Sequence, residues 1–312
     1  MLSHHLCTAP MMDWSDRHCR YFFRQLSPHA VVYTEMITSG ALLHGDVERH
    51  LRFHPAEHPV ALQLGGNEPD DLARCAKLGE DWSYDEINLN CGCPSERVQK
   101  GAFGACLMAE PELVAECVSA MREAVSIPVT VKHRLGIDSI EDYAFVQRFV
   151  DRLARAGTRS FFVHARNAVL KGLTPKDNRQ VPPLKYDYVF RLKHDFPDLQ
   201  IVINGGIDSV AAAAGSLSHV DGVMLGRAAY HDSYILALLE KAVFGASRAV
   251  SRADVVRSMH RYAKAELANG TPLRSIVRHM LGLYHGQPRA RTWRQMLSDS
   301  HRLSENRASL LL

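Results

Sequence analysis

The sequence predicts a (β/α)8 TIM barrel followed by a small C-terminal helical-bundle domain. Three observations carry that reading. Eight short apolar segments recur along the chain, most of them separated by amphipathic stretches of helical period. No GxGxxG opens the first helical stretch, which argues against an open dinucleotide-binding sheet. Near Phe244 the alternation ends, and only helical patterns follow. The expected domains are therefore 1–246, the α/β barrel, and 247–312, the helical bundle.

Taken in order, the strands are expected at 6–11, 31–34, 60–64, 86–90, 129–133, 160–164, 201–204 and 222–225. Helices are expected between them, for example at 70–78, 111–124, 141–156 and 209–217. Pro111 follows Glu110 at a helix start, and Gly157 sits where a helix should stop. In the tail, helices are expected at 253–268, 273–283 and 290–301, punctuated by Gly270, Gly286 and Pro288. No internal repeat beyond the β/α alternation is present.

The composition is that of an ordinary globular protein, 46% hydrophobic and 23% charged over 312 residues. No apolar run approaches the ~20 residues that span a bilayer. Met1-Leu2-Ser3-His4-His5 lacks the basic and apolar regions of a signal peptide, so a cytoplasmic protein is expected, and a monomer. The seven cysteines are odd in number and form no framework, which speaks against disulfides. Cys91 and Cys93 lack a second ligand pair at zinc spacing, so no metal site is expected. Net charge is only +3, but from Ser247 onward twelve Lys+Arg stand against four Asp+Glu, a net +8, leaving −5 for the rest. Basic charge concentrated in one segment points to a polyanionic partner, RNA or DNA.

Chemistry in such a barrel sits at the C-terminal ends of the strands. The fourth segment ends in Asn88-Leu89-Asn90-Cys91-Gly92-Cys93-Pro94-Ser95. Ile87 and Leu89 fall on one face, Asn88 and Asn90 on the other, and Gly92 and Pro94 then break the strand. Cys93 is thus presented in a loop beside inward amides, and reads as the reactive group of an enzyme. The seventh and eighth segments end in Asn204-Gly205-Gly206-Ile207 and Gly226-Arg227-Ala228. Glycines there let backbone approach a phosphate, and Arg227 adds a charge-assisted bond. Lys132 and His164 end neighbouring strands. No acidic strand-end residue answers Lys132 apart from Asp13 and Glu35, so a bound ring that gathers negative charge, such as reduced flavin, explains it. Gln63 is suited to hydrogen-bond the edge of that ring, and Met11 and Met12 to supply an apolar face.

These motifs, with Ala9-Pro10-Met11-Met12-Asp13-Trp14-Ser15-Asp16-Arg17, Gln63-Leu64-Gly65-Gly66, Val131-Lys132-His133-Arg134 and His164-Ala165-Arg166, carry a resemblance. The chain resembles the tRNA-dihydrouridine synthases, flavoproteins that reduce uridines in the D-loop of tRNA, over essentially its whole length. Met12-Asp13-Trp14, the run from Gly172 to Arg179, and Ala290-Arg291-Thr292-Trp293-Arg294 look like the A-type subfamily, which implies action at positions 20 and 20a. The resemblance implies that Pro10, Met11, Met12, Gln63, Lys132, His164, Asn204, Gly205, Gly206, Gly226 and Arg227 hold FMN, which NADPH reduces. It implies hydride delivery to C6 of the uracil and protonation of C5 by Cys93. A thiol at the reference pKa of ~8.5 is mostly protonated at neutral pH and can serve as an acid. Asn90 is expected to help seat the uridine or the flipped nucleotide's backbone, and Cys91 to pack. The inward amide of Asn88 is left without an assigned role.

The target base must be extruded from the folded tRNA, at a cost that contacts elsewhere offset. Arg291 and Arg294, one helical turn apart, are expected to meet phosphates, as are Lys171, Lys176 and Arg179 from the loop after the sixth strand. Trp293 is balanced between stacking on a base and packing in the tail. Two rivals compete. A small-molecule flavin barrel of the dihydroorotate-dehydrogenase kind has no need of the basic tail. A non-enzymatic RNA-binding barrel has no need of a flavin site or of Cys93.

Overall fold

The apolar segments fold as the staves of one closed barrel. The computed structural model describes residues 2–312. Its strands are β1 (Leu6–Thr8), β2 (Val32–Tyr33), β3 (Ile37–Thr38), β4 (Val60–Gly65), β5 (Glu86–Cys91), β6 (Val129–His133), β7 (Ser160–His164), β8 (Gln200–Asn204) and β9 (Gly222–Leu225). All pairings are parallel, in the order β1-β9-β8-β7-β6-β5-β4-β2, with β3 also on β4. Closure comes from Cys7 bridging Val31, with the Thr8 N–H 2.9 Å from the Val31 carbonyl and the Val31 N–H 3.0 Å from that of Leu6.

β2 and β3 are one stave broken in the middle, since they register on successive parts of β4, Val60–Ala61 and Leu64–Gly65. Only 31–34 was expected as strand. The break has a local cause: the Thr34 hydroxyl donates to the Glu35 carbonyl at 2.7 Å and accepts the Gln63 N–H at 2.9 Å, replacing a ladder bond. β1 stops at Thr8 rather than running to residue 11. Pro10 has no N–H to extend the ladder, and the Met11 carbonyl turns back to accept the N–H groups of Trp14 and Ser15.

Helices follow the strands where periodicity places them. Arg17–Leu26 starts at Asp16, whose carboxylate accepts the N–H groups of His18 and Cys19 at 3.0 Å. Pro69–Asp81 and Pro111–Ala124 each open on a proline in the first turn, and Tyr143–Arg155 and Val210–Leu217 are capped by Asp142 and Ser209. The strands' outward side chains and the helices share one large apolar cluster. A second cluster, including Cys7, Tyr33, Ala61, Phe162, Val202 and Met224, fills the barrel interior.

The helix Ile235–Phe244 ends at Gly245, in the left-handed region at φ 72°. The tail then forms Arg252–Ala268, Leu273–Val277, a 3-10 turn at Arg278–Met280, Ala290–Ser298 and Ser300–Ser304. The helix expected at 290–301 is split because Asp299 leaves helical geometry to cap the last helix. The tail lies against the barrel: Tyr21 stacks on Tyr262 at 3.9 Å and Arg17 pairs with Glu266 at 2.6 Å. Among the described residues no helix is long and apolar enough to cross a membrane.

Candidate active site

β5 builds the reactive end of the site. Its alternation turns Glu86, Asn88 and Asn90 inward, while Ile87, Leu89 and Cys91 join the apolar layer beneath the helices. Asn90 Oδ1 accepts the N–H groups of Gly92 and Cys93, both at 3.0 Å, which folds the chain into a tight Asx turn. Cys93 is left partly exposed, its Sγ 3.6 Å from Ser95 Oγ. Arg134 straps this loop to its neighbours, donating to the carbonyls of Gly92, Asn167 and Asn178 at 2.9 Å each. The Ala105 N–H grips the Cys93 carbonyl at 2.9 Å. Gly104 lies at φ 76°, where a Cβ would meet that carbonyl oxygen at 2.6 Å.

Across the mouth lie the cations. Lys132 Nζ donates to Asn204 Oδ1 at 3.1 Å, and Asn204 is itself held by the Met224 carbonyl at 2.8 Å. Burial, then the nearby Arg134 charge, push the Lys132 ammonium down to about 7, because no carboxylate among the described residues compensates. His164 is buried and held well below the ordinary imidazole range by burial and then by Arg134, Lys132, Arg166 and Arg227, so it is neutral.

Gly205 and Gly206 both take positive φ, 109° and 72°, and Tyr186 holds the Gly205 carbonyl at 2.6 Å. A Cβ on Gly205 would meet the His164 ring at 2.6 Å, and one on Gly206 would meet Leu184 at 2.6 Å. These positions therefore demand glycine and leave backbone bare for an anion. Arg166 and Arg227 repel each other there; Arg166 Nε is buried without a partner among the described residues, and Arg227 donates to the Arg179 carbonyl at 3.0 Å. Gly226 faces Ala9 and the Met11 sulfur at 3.6 and 3.7 Å. Pro10 and Met11 are half-buried and Met12 is 58% exposed, so the first loop forms an apolar edge. An uncompensated cation, bare glycine backbone and an orphaned guanidinium nitrogen fit an anionic ring carrying a phosphate.

Lys132, His164, Asn204, Gly205, Gly226 and Arg227 lie at the ends of neighbouring strands, whereas Asn90 differs in posture from a side chain open to substrate. Its amide is spent on Gln63 and on the loop N–H groups, which makes it a holder of the Cys93 loop. Gln63 is fully buried within the same network. Lys171, Lys176 and Arg179 are exposed on the loop after β7, which is pinned by buried Asn178. Arg291 and Arg294 are exposed on the Ala290–Ser298 helix. Trp293 is a packing residue: its Nε1 donates to the Met280 carbonyl at 2.8 Å and its ring lies 4.9 Å from Tyr284. Arg134, Arg166 and Tyr186 were not singled out. Arg134 and Arg166 follow Lys132 and His164 by two residues, a signal available in the strand-end motifs.

Residues 7–311 match the family described as Dihydrouridine synthase (Dus). A Synechocystis sp. protein named tRNA-dihydrouridine(20/20a) synthase is 55% identical, covering 98% of this chain and 92% of that protein. Proteins of the same name from Xanthomonas campestris and Pseudomonas putida are 56% and 53% identical, covering 95% and 97% of this chain and 89% and 91% of theirs.

Proposed function

The chain belongs to the dihydrouridine synthase (Dus) family, and on that premise we propose that it reduces uridine to 5,6-dihydrouridine at positions 20 and 20a of tRNA. The observation that carries the reading is the pairing of Cys93 in a strand-end loop with an uncompensated Lys132 and a glycine cradle at the same barrel mouth.

Pro10, Met11, Met12, Gln63, Lys132, His164, Asn204, Gly205, Gly206, Gly226 and Arg227 are the residues proposed to hold FMN, with Arg166 added by its orphaned nitrogen. When bound and reduced by NADPH, FMN would supply the hydride for C6 of the uracil. Lys132 would hold the ring at its negatively charged edge, where an anion would favour the ammonium form that burial disfavours. Cys93 gives the proton to C5, so one hydride and one proton saturate the double bond. The N–H groups of Gly92 and Cys93 are tied down by Asn90, which limits where Sγ can travel. Neutral His164 donates or accepts without adding charge beside the phosphate.

Residues 247–312 are proposed as the tRNA-binding domain, and residues 1–246 as the catalytic one. The tail's net +8, with Arg291 and Arg294 exposed, supports phosphate contacts there. Lys176 and Arg179 are proposed to meet the tRNA from the barrel side. The test is mass analysis of unmodified tRNA incubated with the protein, FMN and NADPH. A gain of two hydrogens at a D-loop uridine is expected; an unchanged tRNA mass would overturn the proposal.

A further inference from the structure

We propose that Glu86, Thr130 and Asn88 are positioning residues: they form the anchored end of a one-way hydrogen-bond chain that holds Gln63 and the Cys93 loop. Their importance for turnover rests on the reaction proposed above; the chain itself does not.

The chain begins at the N–H of Cys93, which donates to Asn90 Oδ1 at 3.0 Å. Asn90 Nδ2 donates to Gln63 Oε1, Gln63 Nε2 to Asn88 Oδ1, and Asn88 Nδ2 to Thr130 Oγ1, each at 2.8 Å. The Thr130 hydroxyl donates to Glu86 Oε1 at 2.7 Å. Both ends have a fixed sense. A backbone N–H only donates, and a carboxylate only accepts. Every amide between them therefore has one orientation, because turning one round sets donor against donor or acceptor against acceptor.

Water cannot relieve such a mismatch here. Gln63, Asn88 and Glu86 are 0% exposed, Thr130 1% and Asn90 9%. Glu86 is further gripped by the Tyr33 hydroxyl at 2.7 Å and by His4 on its other oxygen. Elsewhere in the interior Ala61, Phe162, Val202 and Met224 fill the space with apolar groups alone. A buried carboxylate offers no stability advantage over such residues. Its use lies at the other end of the chain, where the orientation it imposes fixes which atoms Gln63 and Asn90 present to the mouth and to the loop N–H groups.

Thr130→Val keeps the shape of residue 130 and breaks the chain; Thr130→Ser keeps the hydroxyl and serves as the rescue. Asn88→Asp is a second break, since a carboxylate still accepts from Gln63 but cannot donate to Thr130. In the purified full-length protein, peptide-resolved hydrogen exchange should show the Gly92 and Cys93 amides exchanging about tenfold faster in both broken variants, as for one lost hydrogen bond, and at the original rate in Thr130→Ser. Turnover of tRNA should fall by a similar factor at kcat, with KM within about twofold. Original exchange rates in both Thr130→Val and Asn88→Asp would overturn the proposal, as would a Thr130→Ser protein that exchanges as fast as Thr130→Val. The exchange readout needs no substrate, so it stands or falls independently of whether the protein modifies tRNA.

Discussion

Lys132 crosses the barrel mouth to Asn204, Nζ to Oδ1 at 3.1 Å, and no ion pair with a carboxylate meets it among the described residues. An amide oxygen offers a dipole but not a countercharge. Its folded value of about 7 lies below the ordinary lysine value of 10.5, so the unfolded chain binds more protons between those two pH values. The buried ammonium therefore costs stability fully below pH 7, and the cost fades as pH rises toward 10.5. In ligand-free protein, Lys132→Met should melt higher than the parent at pH 6, with the gap narrowing at pH 9. A gap that widens with pH would contradict this sign. In the FMN-loaded protein the same variant should lower the flavin midpoint potential by about 30 mV, roughly 1.4 kcal/mol for two electrons.

Cys93 is the proton donor of the proposed reaction, and it has no part in reducing the flavin. Cys93→Ala should keep NADPH-driven bleaching of the flavin absorbance and lose at least about 100-fold in dihydrouridine formation, the scale of general acid catalysis. Equal losses in both half-reactions would reassign the thiol to structure.

Arg291 and Arg294 are exposed on one helix of the basic tail. Replacing both by Ala should weaken tRNA binding and flatten its dependence on log salt by about 1 to 2. Flavin reduction should be unchanged. A salt slope equal to the parent's would place the phosphate contacts elsewhere on the tail.

Asp16 ties barrel to tail. It caps the Arg17–Leu26 helix and accepts from Arg278 at 2.6 Å and His279 at 3.0 Å. Burial pushes its carboxyl up, but His279, the Cys19 N–H and Arg278 outweigh that and hold it well below the ordinary value of 3.8. A depressed carboxyl contributes stability that is complete above its unfolded pKa and is lost as pH falls below it. Asp16→Ala should cost about 2 kcal/mol, a cap plus charged hydrogen bonds, and that cost should shrink below pH 4. Denaturant melts at pH 7 and pH 3 test this; equal costs at both would remove the ionic part.

Much of the site was legible because strand ends in a barrel carry a positional code. Once residues 129–133 and 160–164 are strands, Lys132 and His164 fall at the mouth without any knowledge of contacts, and Gly205-Gly206 falls where a phosphate cradle belongs. Asn90 shows the limit of that code. Alternation says that it points inward; it does not say that Gln63 and two loop N–H groups consume its amide. The same holds for Trp293, whose partner carbonyl at Met280 belongs to a different element.

The sequence by itself determined the periodicities, and with them the barrel, the helical tail and the faces of β5, because a side chain's face depends only on its place in a local repeat. Tertiary structure decided everything that depends on who stands opposite. It broke the second stave at Thr34, left Lys132 without a countercharge, and ran one direction of hydrogen bonding from Cys93 to Glu86. Those outcomes join residues up to 72 apart in the chain, Lys132 to Asn204, through contacts that no local window contains, and a polar side chain's role is set by the partner that burial obliges it to find.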